Sequence, residues 1–585
     1  MKSASASTRE RGLYIGLAAL MFAYVLLRAV LVPFVHDEAT SFIAYAQPGT
    51  ILPFASMWDA NNHYLNSLCG HLGYRLFGLH PLALRWASVL SYLLFAWCAW
   101  RLGAQIERPL IRWLLWPALL TCPFLLDFFS LFRGYGPALA LLVTAIDQAI
   151  RFAEHSATKH LVRSLIALDA ALGFMMALLP VASVLLLLLL AGAWKSRSQL
   201  IAWCGLGLLP LALFAALARY MSSLGLLYQG STAGFGEVTI GSMLKYALGI
   251  DGSGWITATA SGFLLLALAL LLAHRRFRFQ RAPFLIGALL LGEFMLRWLL
   301  ARAVGLNYAE DRTALHVLLL SILFVAFSAD ALRRIHALAW LVALPLLVLP
   351  LRTMLTISVG HTVLWPEQSI PERFIARIDS LEDELGRPAV VGMHRLALLP
   401  FGLENRLHGK ERDGTATLWP NTPADARFAV KGVPFNEDAR YFMADSARNG
   451  LMLYLRREAW RGSTYADTLF ELQSVGLDRS RGLAIPVERL RTSDAVAVLH
   501  GTLRGPQPLD LRACVAVFDA AGTAIHADHI LLATRRAQWS GEPWRTSLLI
   551  PQCADAARAE IFFWEPQRKG FTIEHARLRV LAMEE

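Results

Sequence analysis

From Leu13 to about Arg352 the chain alternates apolar blocks of about 17 to 22 residues with short polar links. A helix needs about 20 apolar residues to cross the hydrocarbon core of a bilayer, so each block reads as one crossing. Eleven fit, at about 13–33, 81–100, 110–126, 134–150, 161–177, 179–194, 200–219, 256–273, 283–301, 313–330 and 337–353. The first block runs into Pro33 with no small-residue cleavage site after it, which reads as a retained helix. Beyond Arg352 the sequence turns to charges, prolines and short runs. Residues 372–385 read as a helix, Ala389–Met393 as a buried strand, and mixed elements continue to about 480. From Ala495 the pattern is strand and turn: Val496–Leu499, Val515–Phe518, a turn at Asp519–Gly522, and Glu560–Trp564. Such spacing predicts a small β-sandwich. The expected fold is a polytopic α-helical membrane protein of about 11 transmembrane helices, with a C-terminal extracytoplasmic α/β plus β-sandwich region. The expected divisions are a membrane domain over 1–354, an α/β region over 355–490 and a sandwich-like domain over 491–585.

Composition agrees: 56% of residues are hydrophobic, 17% are charged and the mean hydropathy is +0.46, whereas soluble domains carry about a quarter charged residues. The net charge of +11 is not a nucleic-acid signal, because its placement follows the links. Arg101, Arg108 and Arg112; Arg151, Lys159 and Arg163; Lys195 and Arg197; His274, Arg275, Arg276, Arg278 and Arg281; and Arg333 with Arg334 occupy every second link. That is the positive-inside pattern. It puts these links and the N-terminus in the cytoplasm and, with an odd number of crossings, the C-terminal region outside. Six cysteines lack any CxxC pair; Cys98, Cys122 and Cys204 read as small core residues, and spacing leaves a Cys514–Cys553 disulfide open.

Two outer loops are long. In Phe34–Pro81, the apolar residues Leu65, Leu68, Leu72, Leu76 and Phe77 predict a helix lying along the membrane surface. Met221–Trp255 is rich in Gly and Ser and reads equally as a lid or a plain connector. Four polar groups fall on the outer side. His36-Asp37-Glu38 follows the first helix, where a carboxylate pair beside lipid is costly unless paired, though Asp37 is also a natural cap for a helix at 38–46. Trp58-Asp59-Ala60-Asn61-Asn62-His63 opens the surface helix and reads as a site or as a polar helix start. Asp127 precedes Arg133-Gly134-Tyr135-Gly136, and the two charges could simply pair. Tyr308-Ala309-Glu310-Asp311-Arg312-Thr313 reads as a site or as a solvated turn capped by Asp311. Their convergence on one face suits an anionic headgroup and a hydroxyl substrate. Trp539, Trp544 and Trp564 read as core or as sugar-stacking rings.

With the acidic pair, the stretch DANNHYLNSLCGHLGYRLFGLHPLALRWASVL, then LDFFSLFRGYGPALALL and YAEDRTALHVLLL in order, resemble the bacterial branch of the GT-C glycosyltransferases of family 39 type. That branch is related to protein O-mannosyltransferases and to the lipid A aminoarabinose transferase. The resemblance covers about residues 13–353; the C-terminal region has no match to it. It implies a polyprenyl-phosphate sugar donor, inverting transfer to an acceptor outside the cytoplasm, and a bacterial inner-membrane location. By position, Asp37 would be the base and Glu38 would place the acceptor or a cation. Arg133 and Arg312 would bind phosphate, and Asp127 would orient a partner or the sugar. Asn61, Asn62, His63 and Tyr135 would gather substrate contacts. The lipid A enzyme binds a metal partly through a His in a later outer loop. Met221–Trp255 has no His, so no cofactor is assigned and a divalent metal stays open. The implied partners are the lipid-linked sugar, an envelope glycan, lipid or protein acceptor, and membrane lipid, without nucleic acid. The alternative is a transporter or flippase for a lipid-linked substrate with an exported binding domain. Such transporters show internal repeats, and none is visible here. A glycan-holding scaffold is a third reading, against which the intact acidic pair stands.

Overall fold

The computed structural model describes residues 7–56, 58–194, 196–227, 229–274, 281–333, 336–385, 389–408, 414–416, 424–431, 439–458, 461–475, 477–505, 511–531, 543–566, 568 and 570–584. They fall into two compact units, Met1–Leu31 with Ile51–Leu364, and Val32–Thr50 with Trp365–Glu585.

The first unit is a helical bundle, and the fold class is a multi-pass membrane protein. All eleven apolar blocks are helical. Among the described residues nine helices are long and apolar enough to cross a bilayer, or ten if one bent pair is a single span. That pair is Pro109–Thr121 and Pro123–Phe129, bent by 48°. The cause is Pro123, which lacks an N–H and pushes Cys122 out of the helical region to ψ 117°. The remaining block is the helix Thr158–Phe174, 17 residues long and carrying Lys159, Arg163 and Asp169. Prolines at the first turn open the helices at Pro81, Pro109 and Pro123, where no N–H is needed.

The basic links sit at one end of the bundle, tied to carboxylates. Asp147 accepts from Arg101 at 2.6 Å and Arg151 at 3.3 Å. Asp330 accepts the backbone N–H groups of Glu107 and Arg108, both at 3.1 Å. Lys2, Lys195, Arg275, Arg276, Arg278, Arg334 and the side chain of Arg281 lie outside the described residues. The surface helix is Tyr64–Phe77, and its apolar stripe is exposed, Leu76 and Phe77 to 73% and 75%, as expected of a face turned to lipid. The loop Met221–Trp255 is more than a connector. Residues 236–248 form a continuous helical stretch that buries Val238, Ile240, Met243, Leu244 and Ala247. The abundance of glycine and serine around them masked this apolar stripe.

Among its described residues the second unit holds an α/β core, a sandwich core and a smaller cluster that joins Val390 and Ala424 to Val496, Val498 and Leu549. Its α/β part has strands β1 (Val391–Met393), β2 (Gly414–Ala416), β3 (Ala426–Val430), β4 (Tyr441–Ser446) and β5 (Leu451–Arg456) in the order β2-β1-β3-β5-β4. β1 runs parallel to β2 and β3, and the β3–β5 and β4–β5 pairs are antiparallel. Helix Glu372–Leu385 packs on this sheet through Phe374, Ile375 and Ile378. The sandwich follows with β6 (Arg461–Ser474), β7 (Leu483–Ile485), β8 (Ala495–Arg504), β9 (Arg512–Phe518), β10 (Ala524–Leu531), β11 (Pro543–Ile550), β12 (Arg558–Trp564) and β13 (Phe571–Glu584). Its sheets are β11-β8-β13-β6 and β10-β9-β12-β7. Alternation is clean on β12, where Ala559, Ile561 and Phe563 face the core. Trp564 points outward beneath Arg512, 4.8 Å from the ring centre. Trp539 and the side chain of Trp544 lie outside the described residues. Cys514 and Cys553 are both free thiols, and burial pushes that of Cys514 up to about 12.

Candidate functional site

The end of the bundle opposite the basic links carries the candidate chemistry. Asp59 starts it: its carboxylate accepts the N–H of Asn61 at 2.7 Å and its carbonyl accepts that of Asn62 at 3.1 Å. This turn launches the surface helix. Asn62 is then fixed, donating to the carbonyl of Ile51 and accepting from Ser67, both at 3.0 Å. His63 caps the same helix and reaches inward. Its Nδ1 lies 2.5 Å from the carbonyl oxygen of Phe174, which can only accept, so Nδ1 carries the proton. Nε2 therefore accepts from Arg133 Nη2 at 2.9 Å. Tyr135 packs edge-on to His63, with centroids 4.8 Å apart, and lies 5.5 Å from the Arg133 guanidinium carbon. Both glycines of the Arg133-Gly134-Tyr135-Gly136 run are required by close approach. A Cβ on Gly134 would stand 2.1 Å from the Phe174 oxygen, and one on Gly136 would stand 2.4 Å from that of Phe128.

This cluster borders a cavity of about 630 Å³. Asn62, His63, Tyr64 and Tyr135 form one side; Tyr308, Ala309 and Thr313 another; Leu179, Leu187, Leu296 and Leu300 supply apolar wall. Among the described residues that line it, Arg219 and Arg297 are the cations. Arg312 lines neither this cavity nor the smaller one beside Glu310 and Asp311. Asp311 does not cap its helix. It sits at φ +50° with its N–H donating to Ser242, and the Glu310 N–H is taken by Thr313 Oγ1 at 2.9 Å.

Asp127 does not pair with Arg133. It is buried against Arg28, and also accepts the N–H of Val363. Arg28 donates further to the carbonyl of Ser358 and to Ser130 Oγ at 3.3 Å. The pair clamps the first span to the broken span and to residues 358–363.

Asp37 and Glu38 belong to the second unit, on the short helix His36–Ser41. Its start is served by Glu38, not by Asp37: the buried Glu38 carboxylate accepts the Val35 N–H at 3.2 Å. Two more side chains of the same unit hold the approach to this helix. Glu404 Oε1 accepts the Phe34 N–H at 2.8 Å, and Gln368 Oε1 accepts the His36 N–H at 2.9 Å. Asp37 is half-buried.

Sequence reasoning missed the buried ionisable residues inside the spans: Arg28, and the trio Glu293, Arg297 and His316. The signal was present, since charges in an apolar block face a cavity or a partner. Among the described residues no group of three or more His, Cys, Asp or Glu is placed to hold a metal ion.

No protein-family model and no curated protein matches the chain. Solved structures similar to it include arabinosyltransferase EmbB from Mycobacterium smegmatis, with 10% identity over 97% of this chain and a TM-score of 0.37; the chain spans 64% of that protein's length. ArnT from Cupriavidus metallidurans is similar in its apo state, with 12% identity, a TM-score of 0.43 and coverage of 76% of this chain and 98% of the other. The same protein bound to undecaprenyl phosphate gives a TM-score of 0.41 at 12% identity, over 77% of this chain and 98% of the other.

Proposed function

We propose that the chain is an inverting glycosyltransferase of the bacterial inner membrane, moving a sugar from a polyprenyl-phosphate donor to an acceptor on the outer side. The observation that carries this reading is the cavity of about 630 Å³, whose apolar wall meets arginines, His63 and amides at one end of the bundle. An amphipathic ligand with a long apolar tail and an anionic head matches that lining. In the reaction the acceptor oxygen bonds to the anomeric carbon as the bond from that carbon to the phosphate oxygen breaks. The electron pair stays on the phosphate, and the acceptor proton passes to a carboxylate. Asp37 is proposed as that base from its chain position directly after the first span. Arg133, oriented by neutral His63, supplies positive charge with Tyr135 beside it. Arg312 keeps its proposed role in phosphate binding from sequence alone. Acceptors in this reading are envelope glycans, lipids or proteins, and the C-terminal unit is extracytoplasmic.

The test is transfer of label from radiolabelled polyprenyl-phosphate sugars to delipidated envelope extract by purified protein in detergent. Transfer by wild type and its loss in Asp37→Asn, at unchanged melting temperature, supports the reading. Absence of transfer with every donor, together with lipid movement across proteoliposome membranes, overturns it in favour of a transporter.

A further inference from the structure

Three ionisable side chains meet inside the bundle away from the His63 cluster. Glu293 and Arg297 stand four residues apart on the helix Arg281–Val304, and His316 comes from the helix Leu315–Leu332. Glu293 and His316 are fully buried, and Arg297 is 4% exposed. One carboxylate oxygen, Glu293 Oε1, receives everything: Arg297 Nε at 2.7 Å, Arg297 Nη2 at 2.6 Å and His316 Nε2 at 2.9 Å. Arg297 Nη2 also donates to the carbonyl of Ala177 at 3.1 Å. Glu293 Oε2 and His316 Nδ1 are buried without a hydrogen-bond partner among the described residues.

Such a network is a poor device for stability. A buried ion pair at best offsets its desolvation, and two unsatisfied buried atoms add further cost. What the arrangement does achieve is presentation. Glu293 and the Ala177 carbonyl hold Nε and Nη2 while Arg297 lines the cavity, which leaves Nη1 as the guanidinium nitrogen without a protein acceptor among the described residues. Arg297 lies seven residues before the end of its helix, about 10 Å at 1.5 Å per residue. Leu296 and Leu300 flank it on the cavity wall, and Asn307 and Gln229 line the same space.

We propose that Arg297 is the ligand for the phosphate of the lipid bound in this cavity, with Glu293 and His316 as the residues that position it. The inference rests on the transferase reading for the identity of the lipid, but its test does not need turnover. A guanidinium already neutralised by Glu293 suits a singly charged phosphodiester. The phosphomonoester left after transfer carries more charge, and Arg297 stabilises it as it forms.

The experiment is binding of a long-chain polyprenyl phosphate and of the matching polyprenol to the full chain in detergent, by native mass spectrometry. Wild type is expected to hold the phosphate at least tenfold more tightly than the alcohol. Arg297→Ala is expected to cut that preference severalfold, the other cations of the site keeping the rest. Because that variant leaves the buried Glu293 without its guanidinium, the double variant Glu293→Gln with Arg297→Met is measured beside it, with the same loss of preference expected. Arg297→Lys should keep part of the preference, and His316→Asn should weaken it severalfold while polyprenol binding stays unchanged. Full preference for the phosphate in the folded double variant overturns the assignment of Arg297 and leaves the transferase reading standing. A wild type that binds neither lipid, or both equally, overturns both.

Discussion

His63 and Arg133 share one hydrogen bond, 2.9 Å long, in which a neutral imidazole accepts from a guanidinium. The direction follows from the Phe174 carbonyl, which holds the proton on Nδ1. Hydrogen bonds to a charged group contribute about 1.5–3 kcal/mol, or about ten- to a hundredfold in a rate that depends on the arginine's placement. His63→Ala is therefore expected to lower transfer by that factor at saturating donor, and Arg133→Ala by at least as much. Steady-state kinetics on detergent-purified variants checks both; an unaltered rate in His63→Ala would remove His63 from the machinery.

Gly134 tests the packing beneath that bond. A methyl group there meets the Phe174 oxygen at 2.1 Å and His63 Nδ1 at 2.8 Å, whereas one on Gly16 has no atom within 4 Å. Gly134→Ala should destabilise by about 1–3 kcal/mol, the usual cost of overpacking, and reduce transfer along with it. Gly16→Ala, mid-helix and unobstructed, should hold or slightly raise the melting temperature. Thermal melts of the two variants beside wild type decide it.

How much of this was legible in sequence divides along physical lines. The spans follow from block length, and the sandwich strands from alternation, because both are local properties of the chain. The stretches around Asn62 and Arg133 were visible as dense polar residues at span ends, and the structure sets them side by side. The partner of Asp127 was not legible. Arg28 lies 99 positions away in an apolar span, and only packing of the first span against the broken one brings it there. The stretch 236–248 was missed because glycines and serines dilute its apolar stripe. Glu293, Arg297 and His316 were discounted by an average: two charges and one imidazole barely alter the hydropathy of two long spans.

The Arg28–Asp127 pair permits a test of whether Asp127 reacts or clamps. Removing one partner of a buried pair costs about 3–5 kcal/mol, while replacing both by apolar side chains of similar volume is often neutral. Asp127→Asn alone should lower the melting temperature sharply. Arg28→Met combined with Asp127→Leu should recover most of it, and transfer should return with the fold. A well-folded double variant with no transfer would instead make Asp127 part of the chemistry.

A pH dependence is expected from Asp528, on strand β10 at the edge of its sheet. Burial raises its carboxyl to about 6, above about 3.9 for an unfolded chain. Between those values the folded state holds a proton that the unfolded state has released, so stability falls as pH rises from about 4 to 6 and levels off above. His526 on the same strand is pushed down by burial and acts in the opposite sense. The wild-type melting curve must therefore be compared with that of Asp528→Asn, in which the fall should vanish while the His526 contribution stays.

The grip of Glu404 and Gln368 on the backbone before Asp37 gives the last prediction. Both belong to the α/β part of the C-terminal unit, and both accept main-chain N–H groups, of Phe34 and His36. His36 opens the helix His36–Ser41, whose first-turn N–H groups lie beyond the reach of intrahelical acceptors, and Phe34 lies just before its N-cap Val35. Glu404→Ala removes a charge-assisted hydrogen bond, and Gln368→Ala a neutral one, so the first should weaken the hold more. If Asp37 is the base, a looser hold displaces the proton acceptor. The expected outcome is a drop in turnover, about tenfold for Glu404→Ala and less for Gln368→Ala, with lipid-phosphate affinity unchanged. Glu404→Gln, which keeps an acceptor in place, should restore most of the turnover. A parallel loss of lipid binding, or no rescue by glutamine, would mean that Glu404 supports the fold in general and not the placement of Asp37.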